Sequence, residues 1–208
     1  MNYNNLSFTE GFTQIYERNI WGCGSGSGSR IMNTTKYNEI IIDFIKENKI
    51  KTITDLGCGD WQSTYLIHDS LMCDHYDFDY LGIDCVNSLI ENNKKMHPDY
   101  NFIHSDFFSK KEEIRDSELY IIKDVIQHWK LDRIYNFLDY LTENKNFKYI
   151  IITNSGDQSF DNQDKINDFG SARPLHSRFL PLKKYKAVTL LDYTFADEYK
   201  HMCIINKK

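Results

Sequence analysis

Ile53-Thr54-Asp55-Leu56-Gly57-Cys58-Gly59-Asp60 is a short apolar strand that ends in an acid and a glycine-rich turn. One βα unit later, Leu81-Gly82-Ile83-Asp84 is a second apolar strand that ends in an acid. The glycines permit a tight turn and remove side chains from beside a ligand. The second acid is placed to accept hydrogen bonds from both hydroxyls of a ribose. The two stretches therefore predict a pocket for a nucleoside.

The rest of the chain alternates between strand and helix patterns. Strands are predicted at 51–56, 80–83, 101–104, 119–122 and 149–152, and helices at about 37–48, 61–69, 87–96 and 131–141. This alternation predicts an α/β fold of three αβα layers around a mainly parallel sheet. Two more strands, at 187–191 and 201–205, have no useful helix between them and predict an antiparallel C-terminal strand pair. Right-handed crossovers bring the strand ends, and with them the two acids, to one edge of the sheet.

The composition is that of one globular domain. The chain has 208 residues, of which 41% are hydrophobic and 26% charged. A net charge of −5 weighs against a protein that grips duplex nucleic acid through its phosphates, although a short basic groove stays open. With no run of about 18 apolar residues and no basic, apolar leader, we expect a cytoplasmic protein without a membrane partner. The five cysteines form no CxxC pair, so reduced thiols and no metal site are expected.

The first 35 residues are predicted to be a separate segment. Apolar residues recur at helical spacing from Phe8 to Tyr16, and Trp21 precedes alternating glycine and serine at 22–29. Such an arm is either a flexible linker or a lid in which Trp21 covers an aromatic base. Residues 36–208 would then form the ligand-binding domain. Its polar stretch at about 154–182 is too long for an ordinary connection and is interpreted as a substrate loop.

The turn after the first strand also discriminates between nucleoside ligands. A dinucleotide-binding turn has a third glycine three residues after the second, where this chain has Gln62. Acids in the turn oppose a pyrophosphate but suit a zwitterion that carries a sulfonium. Asp55 is placed to meet a cationic amino-acid group. S-Adenosylmethionine (SAM) therefore fits the pattern better than NAD.

These residues, in this order, resemble the class I SAM-dependent methyltransferases from about residue 40 to the C-terminus. The resemblance implies a Rossmann-like fold and SAM as the cofactor. It implies that a glycine turn holds the methionine part, that the acid of the second strand holds the ribose, and that an acid and an aromatic residue after the third strand hold the adenine. Carried over, the cofactor-binding residues are Asp55, Gly57, Gly59, Asp84, Cys85, Asp106 and Phe107. Lys123, at the end of the fourth strand, and Trp21 of the arm are further candidates for cofactor binding. For Asp106 a second interpretation stays open, in which its side chain caps the next turn.

The segment from Lys123 to Trp129 follows the fourth strand, which in this fold faces the transferred methyl group. If the acceptor is a hydroxyl, a base helps to remove its proton, and His128 has a suitable intrinsic pKa. Asp124 would orient His128 or bind the acceptor. The alternative is structural, with Asp124 as a cap and His128 packed beside Trp129. On the later loop, Arg173 and His176 are predicted to bind the substrate.

A narrower resemblance joins the arm, the segment after the fourth strand and Arg173-Pro174-Leu175 to a subgroup of small methyltransferases. Members of that subgroup often occur with sugar or glycan modification. It implies O-methylation of a small hydroxylated acceptor, such as a sugar or nucleotide-sugar. An RNA or cap methyltransferase, and a catalytically inactive partner subunit, are the alternatives. The chain lacks an Asn-Pro-Pro-Tyr sequence and a glutamate pair, which disfavours DNA bases and protein arginines as acceptors.

Overall fold

The computed structural model describes residues 7–156, 171–195 and 198–207. Within these residues, seven strands form one sheet in the order β3-β2-β1-β4-β5-β7-β6. The strands are β1 (Thr52–Leu56), β2 (Asp79–Asp84), β3 (Asn101–His104), β4 (Leu119–Lys123), β5 (Tyr149–Ser155), β6 (Val188–Phe195) and β7 (Glu198–Asn206). The α-helices are α1 (Phe8–Glu17), α2 (Thr35–Glu47), α3 (Thr64–Cys73), α4 (Asn87–Met96) and α5 (Leu131–Asn144).

The sheet topology confirms the predicted fold. Strands β1 to β5 run parallel to one another, and β7 pairs antiparallel with both β5 and β6. The strand order reverses at β1, which pairs with β2 on one side and β4 on the other. A crevice opens beyond the carboxyl ends of the strands at such a reversal. The chain therefore brings Asp55, at the end of β1, to the place where ligands of this fold bind.

The apolar periodicity of the helices accounts for the two outer layers. On one face of the sheet, α5 buries Ile134, Phe137, Leu138 and Leu141, four of the residues whose spacing predicted the helix. On the other face lies a second core cluster, built on Ile41, Ile45, Trp61, Leu71 and Ile90 of α2, α4 and the segment between them. The N-terminal α1 begins with a capping box, in which Ser7 and Glu10 satisfy each other's backbone N–H groups.

Several predicted boundaries differ from the structure. Helix α3 begins at Thr64 and not at Trp61, because Trp61 has a left-handed backbone (φ 56°) that ends the turn before the helix starts. Strands β6 and β7 are longer than predicted, because polar residues such as Asp192 and Lys200 take part in the ladder. None of the helices in the described ranges is long and apolar enough to cross a bilayer.

Candidate cofactor and acceptor site

The glycine turn after β1 has a backbone that other residues would strain. Gly57 and Gly59 have φ of 89° and 58°. The N–H groups of Gly57 and Cys58 both donate to the Ile83 carbonyl, at 2.8 and 3.1 Å, which ties the turn to β2. A Cβ atom on Gly57 would lie 2.3 Å from Cγ2 of Val125. The turn therefore requires glycine for both its backbone conformation and its packing.

Asp84 ends β2 beside this turn, with its carboxylate held from both sides. One oxygen accepts the Gly59 N–H at 3.0 Å and the other accepts the Val86 N–H at 2.9 Å. The residue is 7% exposed, and burial raises the pKa of its carboxyl. Each carboxylate oxygen has a second lone pair, so both can still accept a hydrogen bond from a ligand.

Asp55 ends β1 next to Asp84 and is more deeply buried. Its Oδ2 accepts a hydrogen bond of 3.0 Å from the Tyr80 hydroxyl, and that hydroxyl accepts one of 2.8 Å from Trp61 Nε1. Burial raises the pKa of Asp55 to about 7, although the Tyr80 hydrogen bond and the charge of Lys123 lower it. Trp61 and Tyr80 were not predicted as site residues, because an aromatic residue among apolar residues is normally interpreted as part of the hydrophobic core.

The two carboxylates face a cavity of about 300 Å³ between the strand ends and the N-terminal segment. Small-ligand sites have roughly 300–1,000 Å³. The cavity brings together residues predicted from distant parts of the sequence: Trp21, Asp55, Gly57, Gly59, Asp84, Cys85, Asp106, Phe107, Lys123, Asp124 and His128. Helix α1 adds Phe8, Phe12 and Tyr16, which the sequence had indicated only as an apolar helix face.

The glycine–serine arm at 22–29 lies across this cavity. Ser25 bonds Asp60 through both its backbone N–H and its hydroxyl, at 3.0 and 2.8 Å, and Tyr16 contacts the same hydroxyl at 2.8 Å. Further along the arm, Lys123 Nζ donates to the Gly28 carbonyl at 2.9 Å. The arm is thus bonded to the glycine turn at one point and to the end of β4 at another.

Trp21 lies against the segment that follows β4. Its ring stacks on His128, with ring centroids 5.5 Å apart and an interplanar angle of 27°. The edges of Phe12 and Tyr16 contact it as well, at 6.1 and 5.7 Å between centroids. Trp21 therefore covers the end of the cavity next to β4, and the predicted adenine residues lie after β2 and β3.

His128 is held in one tautomer by its neighbours. The Ser155 N–H donates to Gln127 Oε1 at 2.5 Å, so the Gln127 amide nitrogen is the group 3.3 Å from His128 Nε2. Nε2 is therefore the acceptor, and the Nδ1–H donates to the Ser171 carbonyl at 2.7 Å. Burial lowers the pKa of the imidazole, which favours its neutral form.

Asp124 pairs with two lysines that line the same end of the cavity. Its oxygens lie 2.9 Å from Lys123 Nζ and 2.6 Å from Lys200 Nζ. Both ammonium groups hold the pKa of Asp124 well below its usual range, against the effect of burial. The side-chain hydrogen bonds of His128 go to Ser171 and Gln127. Asp124 acts on the same ring through its charge and a backbone hydrogen bond, both of which raise the pKa of the imidazole against the larger effect of burial. Lys200 was not predicted, because a lysine in a short terminal strand resembles ordinary surface charge.

The end of the cavity assigned to adenine is lined by Asp106 and Phe107, as predicted for the cofactor-binding residues of this end. The Asp106 carboxylate accepts hydrogen bonds from the backbone N–H groups of Phe108 and Ser109, at 3.1 and 3.3 Å, which is the capping alternative. Phe107 is 6% exposed and packs on Trp129 and Phe137 while it borders the cavity.

Arg133 also borders the cavity at this end. Its guanidinium lies 4.0 Å from the centre of the Phe8 ring and 3.7 Å from that of Phe108, and its Nη2 is 3.6 Å from Asp106. Stacking of this kind holds helix α1 against the domain.

Arg173 and His176, the predicted substrate residues, are buried and do not line the cavity as the described residues form it. They are 3% and 1% exposed. The Arg173 N–H donates to the Gln127 carbonyl at 3.0 Å, so this segment supports the loop that carries His128. The predicted substrate loop also contains Asp157, Asp161, Asp164 and Asp168, which lie outside the described residues.

His176, Asp192 and His201 form a cluster in which one ligand atom from each lies within 4.8 Å of the others. The second ring nitrogen of each histidine accepts a backbone N–H, from Arg178 at 3.1 Å and from Ser177 at 3.0 Å. A metal-bound histidine instead donates a proton from that nitrogen. The hydrogen bonds therefore indicate a structural role, in which the cluster fastens residues 176–178 to strands β6 and β7.

Comparison with solved structures agrees with this architecture, whereas no protein-family model and no curated protein matches the chain. The methyltransferase domain of bacterial CtHen1-CN superposes with a TM-score of 0.61 at 16% identity, over 83% of this chain and 98% of that one. Magnesium protoporphyrin IX methyltransferase from Synechocystis PCC 6803, solved with bound SAM, gives 0.64 at 8% identity over 99% of both chains. The bifunctional kinase-methyltransferase WbdD gives 0.60 at 13% identity, over 84% of this chain and 40% of that one.

The chain therefore has the class I methyltransferase fold, as the sequence resemblance implied.

Proposed function

We propose that the protein is a SAM-dependent methyltransferase whose cofactor lies along the ends of β1 and β2. The observation that carries the proposal is the pair of buried carboxylates, Asp55 and Asp84, on adjacent strands beside the turn at Gly57 and Gly59. Asp84 is fixed by two backbone N–H groups and keeps acceptor capacity for a ribose diol. Asp55 supplies negative charge for the cationic methionine end. The residues fit the cofactor in shape and in charge.

The same cofactor supplies an activated methyl group on a sulfonium. The residues of the chain then have the task of orientation, because in-line displacement depends on how well the two reactants are aligned. Cys85 and Phe107 border the adenine end, and Lys123 joins the cofactor region to the arm. Asp106 is assigned a supporting role in its own turn, because its carboxylate accepts three hydrogen bonds there: Oδ1 accepts two backbone N–H groups and Oδ2 accepts the Ser109 hydroxyl.

The acceptor end favours a small hydroxylated molecule such as a sugar or nucleotide-sugar. This end combines flat aromatic surface, from Trp21 and Phe12, with hydrogen-bonding groups at His128, Asp124 and Lys200. In this proposal His128 Nε2 takes the proton of the acceptor hydroxyl, displacing its long contact with Gln127. Asp124 and Lys200 bind the acceptor.

Residues 22–29 act as a lid in this scheme. Their bonds to Asp60 and Lys123 cross the cavity, so exchange of the cofactor requires that the arm release at least one of them. The described residues favour this role over that of a free linker, because a linker would not be bonded at two points of the site.

Calorimetry with S-adenosylhomocysteine tests the cofactor assignment without knowledge of the acceptor. The wild type should bind one equivalent, and Asp84→Ala should bind at least about 30-fold more weakly, because two charge-assisted hydrogen bonds are lost. Asp43→Ala, at an exposed position on α2, is the matched control. Labelled methyl transfer into sugar-nucleotide, glycan and RNA pools then tests the acceptor. Transfer into RNA alone would replace the sugar proposal, and binding without transfer to any pool would indicate an inactive partner subunit.

A further inference from the structure

Trp61, Tyr80 and Asp55 are joined by two consecutive buried hydrogen bonds. Trp61 Nε1 lies 2.8 Å from the Tyr80 hydroxyl, which lies 3.0 Å from Asp55 Oδ2. The three residues are 1%, 3% and 4% exposed. They come from the glycine turn, β2 and β1, so the fold has to assemble the chain from separate elements.

The direction of both hydrogen bonds is fixed by chemistry. An indole N–H can only donate, so the Tyr80 oxygen accepts from Trp61. The single hydroxyl proton of Tyr80 is then committed to Asp55. Burial and the nearby Asp55 raise the pKa of Tyr80 far above its ordinary value, so this proton stays in place. Tyr80 is thus a permanent donor to the carboxylate.

We propose that Tyr80, held by Trp61, is a positioning residue that keeps the Asp55 carboxylate charged and directed at the ammonium group of the cofactor. The inference rests on the proposed function, because it needs the amino-acid end of the cofactor at Asp55. It assigns to two aromatic side chains, which otherwise look like core, a part in cofactor binding.

The other groups that face Asp55 decide how strongly it holds a proton. Lys123 on β4 favours the charged carboxylate, whereas Asp84 on β2 opposes it. Burial is the largest effect and favours the neutral acid. Tyr37 on α2 and Cys58 in the turn also interact with Asp55, and both are neutral at physiological pH because burial raises their pKa.

With these opposing influences the pKa of Asp55 lies at about 7, so its charge changes in the neutral range. The ammonium group binds the charged carboxylate. Below that pH, binding has to expel a proton, and affinity falls by up to about tenfold per pH unit. The Tyr80 hydrogen bond lowers the pKa of Asp55, so its removal should raise the pKa and move the loss of affinity to higher pH.

Calorimetry of S-adenosylhomocysteine binding between pH 5.5 and 8.5 (roughly one and a half units on each side of a neutral titration) tests this inference. For the wild type, affinity should fall on the acid side of neutrality. For Tyr80→Phe the midpoint of that fall should move to higher pH by about one unit, with affinity nearly equal at the alkaline end. Trp61→Phe should shift the midpoint in the same direction but by a smaller amount. If Tyr80→Phe does not fold, Trp61→Phe is the variant that tests the inference.

Two controls separate a positioning role from a structural one. Tyr120→Phe removes another buried hydroxyl, one that donates to the Arg115 carbonyl at 2.6 Å outside the cavity, and should leave the pH profile unchanged. The ligand 5′-methylthioadenosine has no ammonium group and should bind wild type without the acid-side loss.

The outcomes are distinct. No binding by wild type at any pH would overturn the proposed function itself. Binding whose pH profile is the same in Tyr80→Phe and wild type, or the same for both ligands, would overturn the role of Tyr80 and leave the proposed function standing.

Discussion

Ser25 and Asp60, 35 positions apart in the chain, are joined by three hydrogen bonds of 2.8 to 3.1 Å. The Ser25 hydroxyl donates to one carboxylate oxygen of Asp60, the Ser25 N–H donates to the other, and the Asp60 N–H donates back to the hydroxyl. Asp60 follows directly on the glycine turn. This contact therefore connects the N-terminal arm to the element that is proposed to hold the cofactor.

Loss of this contact should weaken cofactor binding. Ser25→Ala removes two of the three hydrogen bonds. The one to the charged carboxylate is worth about 1.5 to 3 kcal/mol and the one from the neutral Asp60 N–H about 0.5 to 1.5 kcal/mol, part of which water replaces. We expect the dissociation constant of S-adenosylhomocysteine to rise about tenfold, chiefly through faster release, as measured by stopped-flow fluorescence of Trp21. Ser70→Ala, on α3 outside the cavity, is the control. An unchanged release rate would show that the arm is not a lid.

Gly57→Ala should destabilise the fold as well as the site. Its Cβ would lie 2.3 Å from Cγ2 of Val125, and its φ of 89° is strained for any L-residue. We expect a loss of about 3 kcal/mol or more in urea unfolding, since overpacking alone costs about 1 to 3 kcal/mol. Gly22→Ala isolates the backbone strain, because its φ is 77° and nothing lies within 4 Å of the added Cβ. Equal losses in the two variants would contradict the packing argument. Val125→Ala in the Gly57→Ala background should restore part of the loss.

His128→Ala should separate catalysis from cofactor binding. If Nε2 is the base, turnover should fall by about 100-fold or more while the affinity for S-adenosylhomocysteine changes little. His75→Ala, in an exposed turn, is the comparison variant. Similar losses of turnover and affinity would assign His128 a structural role instead.

The pH profile of turnover gives a second view of His128. Because burial lowers the pKa of the imidazole, the ring stays neutral and able to accept a proton at pH values where an ordinary histidine is charged. The acid limb of kcat should therefore lie below the ordinary histidine value of about 6.5. An acid limb above that value would point to another group as the base.

Lys200→Met should reduce stability in a pH-dependent way. The pKa of Asp124 is held low by the two lysines, so their pairing stabilises the fold above the unfolded pKa of about 3.9 and is lost as the pH falls below it. With Lys123 still present, we expect a loss of about 1 to 3 kcal/mol at pH 7 that shrinks toward pH 3. Lys184→Met removes the half-exposed pair with Asp139 and should cost under about 1 kcal/mol. A loss that does not vary with pH would contradict the charge pairing.

The residues of the site that could be predicted are those whose position depends only on the neighbouring sequence. Gly57, Gly59 and Asp84 could be identified because a turn between a strand and a helix requires glycine, and because an acid at a strand end has a fixed place in this fold. The alternation of strands and helices likewise predicted the sheet, since each element must bury one face.

The missed part depends on contacts between distant positions. Ser25 and Tyr16 reach the glycine turn only because α1 folds back across the strand ends, and alternating glycine and serine carry no signal for that path. Tyr80 lies in a run of apolar residues, where a tyrosine that packs and one that donates to an acid look the same. Trp21 stacks on His128, a contact between positions 107 residues apart that the sequence pattern does not indicate.

A crystal structure of the complex with S-adenosylhomocysteine tests the central claim most directly. We predict that both ribose hydroxyls lie within hydrogen-bond distance of the Asp84 carboxylate, with the amino-acid end next to Asp55 and the arm closed over the ligand. A ligand bound away from the ends of β1 and β2, or a ribose with no contact to Asp84, would contradict the account.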